Sequence, residues 1–175
     1  MYRGTLLILG LASALALSAD VLAKPTISTD AVPGVNFSAY KTYSWVNTQP
    51  PAGVNPVMYQ SIVGDFDQAL AGLGYQKAEP ADLSLILTIG AQQKTDVESF
   101  GRFGLQTSVY QYVQGQLSLD VFDTKTQKAL WHGQVSETVN PDKPNQAKVD
   151  AAIAKLMKQF PATAAVAPAS PAPTQ

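Results

Sequence analysis

His132 is the only histidine in the 175-residue chain and cysteine is absent, so any imidazole or thiolate chemistry rests on one side chain. Ser-His-Asp catalysis needs three groups that meet in space, and no Gly-x-Ser-x-Gly nucleophile elbow occurs to supply the first. Strand alternation sets His132 opposite Trp131 and Gly133, where an exposed strand residue belongs. Zinc would have to draw most of its ligands from carboxylates. Asp120 and Asp123 flank a turn, and Asp65 and Asp67 stand two apart on a helix, facing different ways. Neither pair has the dense oxygen-ligand spacing of a calcium loop. Two carboxylates across a cleft can do acid–base work, but nothing singles out such a pair here, and these acids read as solvated turn and helix residues. The sequence therefore assigns no catalytic, cofactor-binding or metal-binding residue. Gly101-Arg102-Phe103-Gly104 lacks the flanking strand and helix of a phosphate cradle. The formal net charge is −1 with no basic stripe, so nucleic-acid binding lacks its electrostatic footprint.

Aromatic side chains offer a second kind of chemistry. FSAYKTYSWV, residues 37–46, carries four rings in ten positions. On a strand, Tyr43 and Trp45 point one way while Thr42, Ser44 and Val46 point the other. Rings on one face could stack on sugars or bases. The same face could instead lie under helices, with the indole and phenol reaching a polar rim. The second reading is preferred, because two amphipathic helices elsewhere in the chain need an apolar surface to cover.

The elements that would position these groups lie between two unlike ends. Arg3 and the apolar run TLLILGLASALAL fit a secretory signal peptide over residues 1–23, with Val21 and Ala23 at the small-residue positions of a cleavage site. The run is shorter than the ~20 residues of a spanning helix. With no cysteine to accept a lipid, the mature chain is expected to be soluble in the periplasm or secreted, and not lipid-anchored. From Pro161 to Gln175 the chain is rich in proline and alanine and uncharged, so residues 161–175 read as a disordered tail. Residues 24–160 are left as a single domain.

Within that domain YKTYSWV reads as a strand, and Asn55-Pro56 as a cap and first helical residue. Met58, Ile62, Phe66 and Leu70 then form an apolar stripe that ends at Gly72 and Gly74. LSLILTI from Leu83 is a strand. Leu117, Leu119 and Val121 alternate on another, and Trp131 and Val135 on its hairpin partner across the turn DTKTQ. Asn145 caps a last helix whose apolar side is Val149, Ala152, Ile153, Leu156 and Phe160. The expected fold is α+β: a largely antiparallel sheet of four or more strands with two helices packed on one face. Residues 92–108 lack a period and are expected to form a long loop or irregular hairpin.

Taken in order, FSAYKTYSW, the helix-opening NP, GLGY, PADLSLILTIG, GQLSLDVFDTKTQKALWHGQV and a final QFP resemble the bacterial domain-of-unknown-function family 4136 over residues 30–161. That resemblance implies an exported α+β envelope domain, often a lipoprotein, and carries over no activity, cofactor or catalytic residue. The expected function is a non-enzymatic binding or accessory module for an envelope protein, a wall component or a small apolar ligand. An envelope hydrolase using an unidentified carboxylate pair is the alternative. Phe100, Arg102 and Phe103, between glycines in the aperiodic stretch, are the partner-binding candidates, since aromatics and arginine dominate interface hot spots.

Overall fold

The structure is a computed structural model that describes residues 25–100, 106–140, 143 and 145–161, with the backbone alone at 98–100 and 106. The expected signal peptide at 1–23, Arg102, Phe103 and the tail beyond Pro161 lie outside the described residues.

Six strands and two helices follow one another as β1 (Thr26–Ala31), β2 (Thr42–Trp45), α1 (Pro56–Gly72), β3 (Gln76–Lys77), β4 (Leu83–Phe100), β5 (Gln106–Asp123), β6 (Ala129–Val139) and α2 (Gln146–Met157). The strands make one sheet in the order β1-β6-β5-β4-β2-β3. Pairing is antiparallel among β1, β6, β5 and β4, while β2 runs parallel to both β4 and β3. The α+β expectation holds, and the sheet is mixed because α1 is the crossover that returns the chain to the edge beside β2.

Both helices begin where their caps dictate. The Asn55 side chain accepts the N–H groups of Val57 and Met58, with Pro56 in the first turn, and that of Asn145 accepts Lys148 N–H. The stripe of α1 buries Tyr59, Ile62, Phe66 and Leu70, and α2 buries Ala152, Ile153, Leu156 and Met157. Both lie on the sheet face carrying Leu83, Leu85, Leu87, Leu117, Leu119, Val121, Trp131 and Val135. Phe160 closes this core below α2, its ring 5.0 Å from Trp131, 5.6 Å from Phe37 and 5.8 Å from Tyr75. Gly133 lies directly beneath the Trp131 indole, which fills the space a Cβ would occupy there.

Where a long loop or irregular hairpin is expected at 92–108, residues 92–100 and 106–108 are regular strand. Strands β4 and β5 continue through this stretch in unbroken register, from Leu83 opposite Asp123 to Phe100 opposite Gln106. The sequence shows no alternation there because helices cover neither face of the ribbon. Backbone hydrogen bonds make the pair, and they leave no apolar period to read.

Candidate functional site

Tyr43 and Trp45 belong to the core. Both are buried, and Trp45 packs edge-on against Phe66 of α1 at a ring separation of 6.2 Å. Their polar atoms meet one acceptor. Asp67 Oδ1 receives the Tyr43 hydroxyl at 2.9 Å and the Trp45 indole N–H at 2.8 Å. Its Oδ2 receives Lys77 Nζ of β3 at 3.1 Å. Burial raises the Tyr43 phenol above its ordinary pKa, and the bond to Asp67 and that carboxylate's charge add to the shift. Sequence reading placed Asp67 among solvated helix acids. The missed signal was that a buried indole and phenol need an acceptor, and Asp67 follows a core Phe66 on the facing helix.

An open groove of about 540 Å³ runs beside this hub, between the outer end of β2 and α1. Ser44, Asn47, Gln60, Val63, Gly64 and Glu79 line it together with the hub residues. Asn47 stitches the end of β2 to β4, donating to Leu87 O at 2.6 Å and accepting Leu87 N–H at 3.0 Å. The Tyr59 hydroxyl donates to Asn47 O at 2.7 Å, which ties α1 to the same corner. A general base must present a free lone pair to a reacting proton. Here both Asp67 oxygens already accept hydrogen bonds, and Lys77 is spent on the same carboxylate. Two donors on Oδ1 and one on Oδ2 leave Asp67 a single open acceptor site, and Glu79 lines the same groove.

Asp65, one turn-face away, looks toward α2 and shares a hydrogen bond with Asp150. Burial, then this bond and the neighbouring charge, raise the Asp65 carboxyl above the usual range. Gln146 Nε2 donates to Asp150 Oδ1 at 2.7 Å and reaches Asp65 Oδ2 at 3.5 Å. The structure thus supplies a carboxylate pair, which sequence reading left unidentified. On the sheet face away from the helices, His132 Nδ1 and Asp120 Oδ1 are 2.6 Å apart. Among the described residues no hydroxyl bonds to that imidazole, and no group of three or more metal-ligating side chains is found.

Residues 27–162 match the domain of unknown function DUF4136. The chain belongs to the DUF4136 family. No curated protein matches it significantly. Among solved structures, a PDZ domain protein from Parabacteroides distasonis superposes with a TM-score of 0.56 at 13% identity, over 80% of this chain and 37% of that one. The two share the fold, and the DUF4136 chain spans well under half the length of that relative. The PelC dodecamer from Paraburkholderia phytofirmans gives 0.43 at 14% identity, over 77% and 96% of the two chains. A neuraminyllactose-binding hemagglutinin homolog from Helicobacter pylori gives 0.40 at 13% identity, over 69% and 81%.

Of the partner-binding candidates of this DUF4136 chain, the structure describes only the backbone of Phe100. Phe100 is the last residue of β4, opposite Gln106, while Arg102 and Phe103 lie outside the described residues. Along the ribbon the side chains of Val97, Val109 and Tyr110 are 61%, 60% and 54% exposed. Asp96 on the neighbouring strand raises the Tyr112 phenol above its ordinary pKa. The groove and the ribbon lie at different parts of the sheet, so the structure does not bring Phe100 to the Asp67 hub.

Proposed function

We propose that this DUF4136 chain is a non-enzymatic binding or accessory module of the bacterial cell envelope, and that the β4–β5 ribbon carries its contact with an envelope protein or wall component. The leader-like residues 1–23 support export, with cleavage near Ala23, and the absence of cysteine supports a mature form without an N-terminal lipid. Among the described residues no helix is long and apolar enough to cross a membrane. The observation that carries the proposal is the ribbon itself. Its strands continue past the part of the sheet that the helices cover, and they hold Val97, Val109 and Tyr110 in solvent with Phe100 at their end. Apolar and aromatic groups held away from the core are typical of contact surfaces. The polar clusters at Asp67 and Asp65 support binding over catalysis, because their carboxylates are engaged with one another or with fixed donors.

A photo-reactive residue at Leu105, expressed in the native envelope, tests this reading. A discrete crosslinked product is expected, and it should disappear when Phe100, Arg102 and Phe103 are replaced together by alanine while the melting midpoint stays unchanged. The same product at wild-type yield from the triple variant would refute the ribbon as the contact surface. N-terminal sequencing of the exported protein should begin at Lys24; an intact Met1 would refute export.

A further inference from the structure

We propose that two copies of this chain associate through the outer edge of β5 at Thr107–Tyr112, forming a closed dimer. This rests on the same ribbon as the reading above but uses the outer edge of β5 rather than the strand end at Phe100, so a monomeric result would leave the contact at that end standing.

The ribbon has two edges, and they are unlike. Pairing with β2 engages β4 from Leu83 to Leu85, and pairing with β6 engages β5 from Phe122 to Val113. Past Leu87, which Asn47 still holds, and past Val113, the described residues of β4 and β5 pair only with each other. Residues 94–100 of β4 and 106–112 of β5, at ~3.4 Å each, then extend about 24 Å as a two-stranded ribbon, an arrangement marginally stable in water without a third strand.

Which backbone groups face outward follows from the ladder. Asp123 N–H donates to Lys128 O at 2.9 Å, so the odd-numbered residues of β5 turn their N–H and C=O toward the β6 side. The bulge near Phe122 lies in β6, where Leu130 is the extra residue, so it does not change that parity on β5. Among the described residues, Thr107, Val109 and Gln111 therefore present outward donors and acceptors with no strand beside them.

Natural edge strands are blunted by charge, proline, bulges or shortness. The β4 edge is guarded in this way, with Lys94, Asp96 and Glu98 within five residues. The β5 edge is not. Thr107-Ser108-Val109-Tyr110-Gln111-Tyr112 has no charge, no proline and no glycine, and it consists largely of residues that favour strands. Val109 and Tyr110, both more than half exposed, lie at its centre. An antiparallel match of this edge with itself, about a two-fold axis at Val109, pairs Thr107 with Gln111 and odd residues with odd. It satisfies the outward groups of both chains and brings uncharged side chains together on each face. One open edge and one guarded edge allow a single isologous contact per copy, which closes at two subunits and does not propagate.

Light scattering on the purified protein tests this against three variants. The wild type is expected at twice the monomer mass. Gln111→Pro removes an outward N–H without touching the β4 ladder, and Val109→Lys puts charge on the open edge; both should halve the mass with native circular dichroism retained. Thr95→Pro removes an outward N–H from the guarded edge and should remain dimeric. Should Gln111→Pro lose its native spectrum, Val109→Lys, which keeps every backbone group, decides the matter. A monomeric wild type, a dimeric Val109→Lys variant, or a monomeric and folded Thr95→Pro variant would each overturn the proposal.

Discussion

Replacing Asp67 tests whether one helix residue holds the aromatic face of β2 in place. Asp67→Ala leaves the Tyr43 hydroxyl and the Trp45 indole N–H without their acceptor, and both side chains are buried. An orphaned buried donor costs about 1–3 kcal/mol. The Asp67 side chain is 29% exposed, so water can reach part of the vacated site, and the lower half of the summed range applies. A loss of about 2–4 kcal/mol is expected from urea unfolding. Asp67→Asn keeps Oδ1 as a neutral acceptor and gives up the ion pair with Lys77, whose side chain is 55% exposed. An exposed pair contributes about 0–1 kcal/mol, and neutral hydrogen bonds are weaker than charge-assisted ones, so the Asn variant should lose about 1 kcal/mol. Spectrophotometric titration gives an independent readout. The Tyr43 phenol should titrate lower in Asp67→Asn than in the wild type, yet stay above its ordinary value, because burial is the largest cause of its shift. An Asp67→Ala variant within about 0.5 kcal/mol of wild type, or a Tyr43 titration unmoved in Asp67→Asn, would refute the account of the hub.

Other perturbations follow from the same geometry. The folded state raises the Asp65 pKa above 3.8, so it holds that proton more tightly than the unfolded chain does, and stability falls as pH rises from 3.8 through the folded value. Asp65→Asn should therefore melt higher than wild type at pH 7 and show a flatter profile between acid and neutral pH; a lower midpoint at pH 7 would contradict this. Gly64 sits inside α1 with nothing within 4 Å of an added Cβ. Gly64→Ala should stabilise by about 0.5–1 kcal/mol, and a destabilised variant would mean that the groove wall is closer than described. Gly133→Ala forces a methyl into the Trp131 indole and should cost about 1–3 kcal/mol. An unchanged denaturation midpoint would show that the indole does not rest on this glycine.

What the sequence by itself determined was whatever a short stretch of chain decides locally. Asn55-Pro56 and Asn145 set the helix starts because a side-chain oxygen satisfies N–H groups two or three residues on. Alternation from Leu117 to Val121 and at Trp131 and Val135 revealed strands because one face of each is buried. It also marked Tyr43 and Trp45 as core, since helices with apolar stripes must cover something. Only the tertiary structure decided the rest. Strands β1 and β3 are short and largely exposed, and their membership in the sheet depends on backbone bonds to β6 and β2, which carry no residue code. The regular pairing of 92–100 with 106–114, where the sequence suggests a loop or an irregular hairpin, is hidden for the same reason. Asp67 looked like any surface acid until the crossover helix brought it over β2, and Asp65 until α2 came alongside α1. Each of those contacts joins residues distant in sequence, so its chemistry arises when packing fixes the distance, and no spacing along the chain encodes it.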